Sequence, residues 1–179
     1  MLQTTLHLDA LDIRHEGLTK AVAASFREAA EVCFDRHHSP PTTVTIDRGR
    51  LINAVVHWNT PDDRTRRAWA NQIDTTEAGA YCVALAAVEL TDGLVAFQRA
   101  EILTGADYYV IQHGTTPPVD LESATRLEVS GIDEGGVSSV RIRLRQKLDQ
   151  TGRGRSNLPA IAAVVAFSSA HVSIADAPK

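Results

Sequence analysis

The chain has 179 residues, 44% of them hydrophobic and 22% charged, a composition that excludes a disordered or low-complexity protein. Its net charge of −4 argues against a protein that coats nucleic acid by bulk electrostatics. The longest apolar stretches, near Ala80–Val88 and Leu158–Phe167, fall short of the roughly 20 residues of a membrane span. The N-terminal MLQTTLHLDALDIRHEG has neither a basic region nor a continuous apolar run, and Cys33 and Cys82 sit in helix-like segments without metal spacing. A single domain over residues 1–179, cytoplasmic and with free core thiols, is the expectation.

In chain order, Glu16 to about Arg36 carries Leu18, Val22, Phe26, Ala29, Ala30 and Cys33 at helical spacing, and ends before Pro40-Pro41. His37 and His38 read as a solvated turn. Thr42–Ile46 and Leu51–Trp58 flank a turn-like Asp47–Arg50 and predict a β-hairpin. Thr60-Pro61-Asp62 starts a helix that runs to about Glu89, with Gly93 as its breaker and Gly79 as a candidate break. Leu94–Leu103 and Asp107–Ile111 read as strands, with one of Tyr108 and Tyr109 facing the core. A loop through Pro117 and Pro118 leads to a third strand, Arg126–Gly131. Val137 to about Gln150 is helical, Gly152–Asn157 is a glycine- and arginine-rich loop, Ala160–Phe167 is a buried strand, and His171–Ala175 is a final edge strand. From Pro61 onward the order is helix, three strands, helix, two strands, which makes a sheet with helices packed on it.

Three carboxylates stand out. Glu77 falls on the helical face of Trp69, Ile73, Thr76, Ala80 and Ala84, where an ionisable group is costly unless it is paired or reaches water. Glu89 lies opposite and reads as solvated. Asp107 opens a strand after a Gly-Ala turn, and Glu128 sits between Leu127 and Val129. Adjacent strands would bring these two carboxylates to one end of the sheet, where they repel unless a proton or cation lies between them. Hard oxygen ligands suit Mg²⁺ or Mn²⁺. Two arginine clusters, Arg48–Arg67 and Arg141–Arg155, read either as solvated faces or as anion contacts.

A helix carrying an acid, a strand opening on Asp, a strand carrying Glu and a following helix are similar to the core of the PD-(D/E)XK superfamily of restriction-endonuclease-like nucleases. The likeness runs from Pro61 to Ala175 and rests on Glu77, on Asp107 of GADYYV and on Glu128 of LEVSG. It implies an α/β fold with a restriction-endonuclease-like mixed sheet flanked by helices, residues 1–60 forming a helix-plus-hairpin extension and 61–179 the core. It also implies that Glu77, Asp107 and Glu128 hold a Mg²⁺ or Mn²⁺ ion for phosphodiester hydrolysis, Asp107 and Glu128 being catalytic. Where the family has lysine two residues after the glutamate, this chain has Ser130. Arg141 or Lys147, flanking the apolar stripe of the next helix, would supply the missing charge, and Arg143, Arg145, Arg153 and Arg155 would track the phosphate backbone. Three readings stay open: an active nuclease on DNA or RNA, a degenerate non-catalytic module binding a protein or nucleic acid in a larger defence or toxin-related assembly, and an unrelated interaction domain. A homodimer fits; a membrane partner does not.

Overall fold

A computed structural model describes residues 4–115, 121–154 and 156–178. The N-terminal segment contains a short helix α1 (Leu11–Arg14), absent from the sequence reading, and the helix α2 (Lys20–Asp35). The hairpin β1 (Thr42–Asp47) and β2 (Leu51–Val56) follows. The long helix expected from Pro61 is two helices, α3 (Asp63–Ala68) and α4 (Gln72–Asp92). The break is at Asn71, whose side chain accepts from the Ile73 and Asp74 N–H groups and so starts a new helix. Gly79 breaks nothing. A Cβ there would lie 3.0 Å from the Ala30 Cα, so this glycine lets α4 lie tightly on α2.

The rest runs β3 (Leu94–Arg99), β4 (Tyr108–Gln112), β5 (Thr125–Ile132), α5 (Val137–Gly152), β6 (Ala160–Ala166) and β7 (His171–Asp176). Together the strands form one seven-stranded mixed sheet in the order β2-β1-β7-β6-β5-β4-β3. β3, β4 and β5 form an antiparallel meander, and α5 carries the chain across to β6, parallel to β5. The fold is therefore α/β, with helices on both faces of a mixed sheet. β7 is not the edge strand that its terminal position suggests. It lies between β6 and β1, and its parallel pairing with β1 brings the N-terminal hairpin into the same sheet.

Both faces are covered, which explains why β6 is buried along its whole length. On one face α4, backed by α2, packs on Tyr108, Leu127, Val129, Ile161, Ala163 and Val165. On the other, Val140 and Leu144 of α5 meet Val164, Ala166 and Ile132. Tyr108 and Tyr109 are consequently both buried, in separate clusters on opposite faces. Cys33 and Cys82 are free and buried, and burial pushes the Cys33 thiol up to about 12. His37 and His38 are not solvated: the His38 Nε2 donates to the Phe167 carbonyl at 2.7 Å, and the His37 Nε2 lies 3.3 Å from Asp133. Glu89 is likewise half-buried, accepting from Arg14 at 2.8 Å and from His15 at 3.2 Å. No helix among the described residues is long and apolar enough to cross a membrane. The loop through Pro117 and Pro118 lies outside the described residues.

Candidate functional site

The site exists because β5 outlasts β4. The last β4–β5 pairs are Tyr108 with Leu127 and Tyr109 with Arg126, whereas β5 stays paired with β6 as far as Ile132. Just where β4 stops, Asp107 replaces the missing strand: its N–H donates to the Leu127 carbonyl, and its Oδ2 accepts the Val129 N–H at 2.8 Å. Beyond that point the edge of β5 from Ser130 to Ile132 faces the first turns of α4. Close approach there depends on Gly131, whose Cβ would stand 2.5 Å from the Thr76 carbonyl oxygen. The result is an open cleft of about 520 Å³, lined by residues of α4, β5 and α5 together with Asp107.

Glu77, Asp107, Glu128 and Lys147 all line this cleft, with Ser130 and Arg143 beside them. The second oxygen of Asp107 accepts the Tyr81 hydroxyl at 2.8 Å. Tyr81 in turn accepts from Arg99 at 3.0 Å. A guanidinium can only donate, so the single phenol proton is directed to a carboxylate, and Asp107 is nearer than Glu77, whose Oε1 lies at 3.4 Å. Burial, with the Asp107 charge adding to it, raises the Tyr81 pKa and keeps it a donor. Each Asp107 oxygen therefore carries one fixed donor and keeps lone-pair capacity.

Alternation along β5 points Leu127 and Val129 toward α4 and sends Glu128 to the face where α5 lies. Its carboxylate is almost fully buried, and Lys147 Nζ reaches it from α5 at 2.6 Å, donating also to Gln150 at 3.2 Å. Burial and the adjacent Asp107 charge push the Glu128 carboxyl above its ordinary range, while Lys147 pulls it back. Two carboxylates and an ammonium, contributed by three different elements, meet at one point.

Glu77 meets that pair through the Tyr81 hydroxyl, which it shares with Asp107. It is exposed at the cleft mouth, beyond the Tyr81 hydroxyl, and Ile73 of its supposed apolar stripe is also exposed. No group of three or more acidic, histidine or cysteine side chains among the described residues is placed to hold a metal ion; of the three acids expected there, Asp107 and Glu128 lie side by side and Glu77 meets the Tyr81 hydroxyl. Of the two candidate replacement cations, Lys147 is at the site. Arg141 is exposed, and its field acts on His171 of β7. Arg143 reaches toward Ser130, 3.4 Å from its hydroxyl. Arg145 is exposed away from the cleft lining, and Arg153 lines a separate depression on the far side of Lys147. Arg155 lies outside the described residues. At the other end of the cleft Asp133 is held by Gln72, by Arg36 at 3.1 Å and by His37.

No protein-family model, curated protein or solved structure matches this chain.

Its chemistry must be read from the residues. Mg²⁺ commonly keeps several waters and binds through one or two carboxylates plus substrate phosphate, a donor set that Asp107 and Glu128 fit. Their pocket already attracts a cation, since Lys147 occupies Glu128. Sequence reasoning missed Tyr81 and Arg99. An aromatic residue inside an apolar helix reads as core, and only the tertiary meeting of α4 with the β3 and β4 ends gives the hydroxyl its partners. The Arg99 guanidinium rests 4.5 Å over Tyr81 and 4.8 Å over Tyr108, a stacking that sequence spacing does not announce.

Proposed function

We propose that this protein is a divalent-cation-dependent phosphodiesterase of the restriction-endonuclease-like kind, cleaving DNA or RNA in the cytoplasm, with Lys147 in the place of the lysine that Ser130 displaces. The observation that carries the reading is the 2.6 Å contact of Lys147 with Glu128, beside Asp107, in an open cleft. It reunites two acids and a lysine across the order helix, three strands, helix, strand. In this reading Asp107 and Glu128 hold Mg²⁺ or Mn²⁺, which supplies Lewis-acid stabilisation of charge on the phosphate and activates water. Tyr81 and the Val129 N–H fix the Asp107 carboxylate so that no reorganisation is needed when substrate arrives. Lys147 keeps a positive charge next to Glu128, where the charge of the phosphate transition state would develop. Arg143, four residues earlier on the same helix, offers a second cation at the cleft wall.

One observation favours a second reading, a non-catalytic binding module. Lys147 already neutralises Glu128, and both oxygens of Asp107 already have donors, so the site is satisfied without a metal ion. Calorimetric titration with Mn²⁺, run alongside Asp107→Ala and Glu128→Ala, separates the two. The phosphodiesterase reading expects one-site binding lost in both variants, and Mn²⁺-dependent cleavage of a mixed DNA and RNA pool that Lys147→Met abolishes while still binding Mn²⁺. A folded wild type that binds no Mn²⁺, even with a non-hydrolysable phosphorothioate oligonucleotide present, would sink it and favour the binding module.

A further inference from the structure

A second depression, of about 680 Å³, adjoins the carboxylate pair on the side away from the cleft. It shares Asp107, Glu128 and Lys147 with the cleft and adds Arg99, Arg153 and the tip of the β3–β4 connection. The acidic pair thus sits at a waist between two hollows, the arrangement an extended polymer needs if it is to cross the reacting centre rather than end at it.

The chemistry of this second hollow is specific. Arg99 is half-exposed and is held by two tyrosine rings, its nearest carboxylate being Asp107 at 3.6 Å. Its guanidinium is therefore fixed in position without a tight ion pair to quench it. Arg153, at the end of α5, has no ion-pair partner among the described residues. Between these cations the loop presents Ile102, 93% exposed, and Leu103, 66% exposed with its backbone at φ 71°. These two adjacent aliphatic side chains, one on a left-handed backbone, leave most of their apolar surface in water. Cations flanking an apolar tip match a nucleotide: phosphate for the guanidinium groups, base face for the aliphatic pair. A base offers its face only when its strand is unpaired, since stacking within a duplex covers it.

Resting on the phosphodiesterase reading, we propose that this hollow is the subsite for a nucleotide flanking the scissile phosphate, and that the substrate there is a single strand. Arg99 and Arg153 take the phosphate, and Ile102 and Leu103 take the base.

The test uses a fluorescein-labelled twelve-residue oligodeoxythymidine and a blunt duplex of the same length, with Ca²⁺ in place of the catalytic ion. Binding is read by anisotropy, with calorimetric Mn²⁺ titration of every variant in parallel. The single strand should bind about tenfold or more tightly than the duplex. Ile102→Asp and Arg153→Glu, both at exposed positions, should each weaken it about tenfold and leave Mn²⁺ affinity unchanged. Equal or tighter duplex binding overturns the single-strand assignment. Wild-type affinity for the oligonucleotide in both variants, or no oligonucleotide binding by a protein that binds Mn²⁺, overturns the subsite while the metal site stands. Absence of Mn²⁺ binding in the wild type overturns the phosphodiesterase reading and this proposal with it.

Discussion

Asp107 and Glu128 are neighbours of like charge that the fold treats differently. Asp107 receives a backbone N–H and a phenol, whereas Glu128 is buried and depends on one ammonium. With its proton affinity raised, Glu128 contributes to stability most fully below its unfolded pKa, and that contribution is lost as pH rises through the folded value. A divalent cation takes the proton's place, so binding competes with protonation. Mn²⁺ affinity should therefore climb as rising pH takes the proton from Glu128, by up to about tenfold per unit, and then level off. Calorimetry at a series of pH values from 5 to 8 checks this. An affinity that falls as pH rises would remove Glu128 from the metal site. The two acids were legible in the sequence because strand alternation and a Gly-Ala turn marked them. Lys147, the partner of Glu128, was among the cations the sequence offered, whereas Tyr81, the partner of Asp107, and Arg99 behind it were not legible there, since each acquires its role only through contacts between distant elements.

At the scale of elements, two glycines decide how α4 sits. Gly131 lets β5 meet the Thr76 turn, and Gly79 lets α4 meet α2. A methyl group at Gly131 would face a carbonyl at 2.5 Å that belongs to the helix backbone, so relief requires moving α4 or β5. Gly131→Ala should cost about 2 kcal/mol or more through overpacking. At Gly79 the contact is 3.0 Å, and alanine recovers about 1 kcal/mol of helix propensity, so Gly79→Ala should cost less than half as much. Urea denaturation of both variants makes the comparison, and equal losses would refute it. The same two residues show what the sequence conceals. Gly79 reads as a helix break because glycine is unfavourable inside a helix, yet its use is close approach, which needs knowledge of the neighbouring helix. Asn71, a good N-cap residue, carried the true boundary. Residue patterns gave the order helix, three strands, helix, two strands, because burial on two faces leaves an apolar run, but not the directions in which the strands pair. The placement of β7 beside β1 was invisible, since a parallel pairing between residues more than a hundred positions apart leaves no local pattern.

Across the whole molecule, most of the ion pairs that tie the first 56 residues to the rest have one polarity, the Arg66–Asp35 pair being the reverse. Arg14 and His15 meet Glu89, Arg36 and His37 meet Asp133, and Arg48 meets both Asp92 and Asp176. In each the arginine comes from the N-terminal segment and the acid from the remainder, while His15, whose Nδ1 accepts the Ala96 N–H, donates to Glu89 from its other ring nitrogen. Burial pushes Glu89 and Asp133 upward, but their hydrogen bonds outweigh it, and both carboxyls end below their ordinary values. The Arg48 hydrogen bonds hold Asp176 down more directly. A depressed carboxyl contributes stability above its unfolded pKa and loses it as pH falls through the folded value, the opposite sense to Glu128. Each pair is partly solvated and contributes about 1 kcal/mol or less. Together they reinforce the parallel pairing that joins β1 to β7. Stability measured by urea denaturation should therefore decline as pH is lowered from about 5 toward 3, below the usual carboxylate range. Arg36→Gln, which removes one cation of the Asp133 pair, should make that decline shallower. An acid profile identical to wild type in Arg36→Gln would mean that the seam at Asp133 is held by packing and by Gln72 rather than by charge.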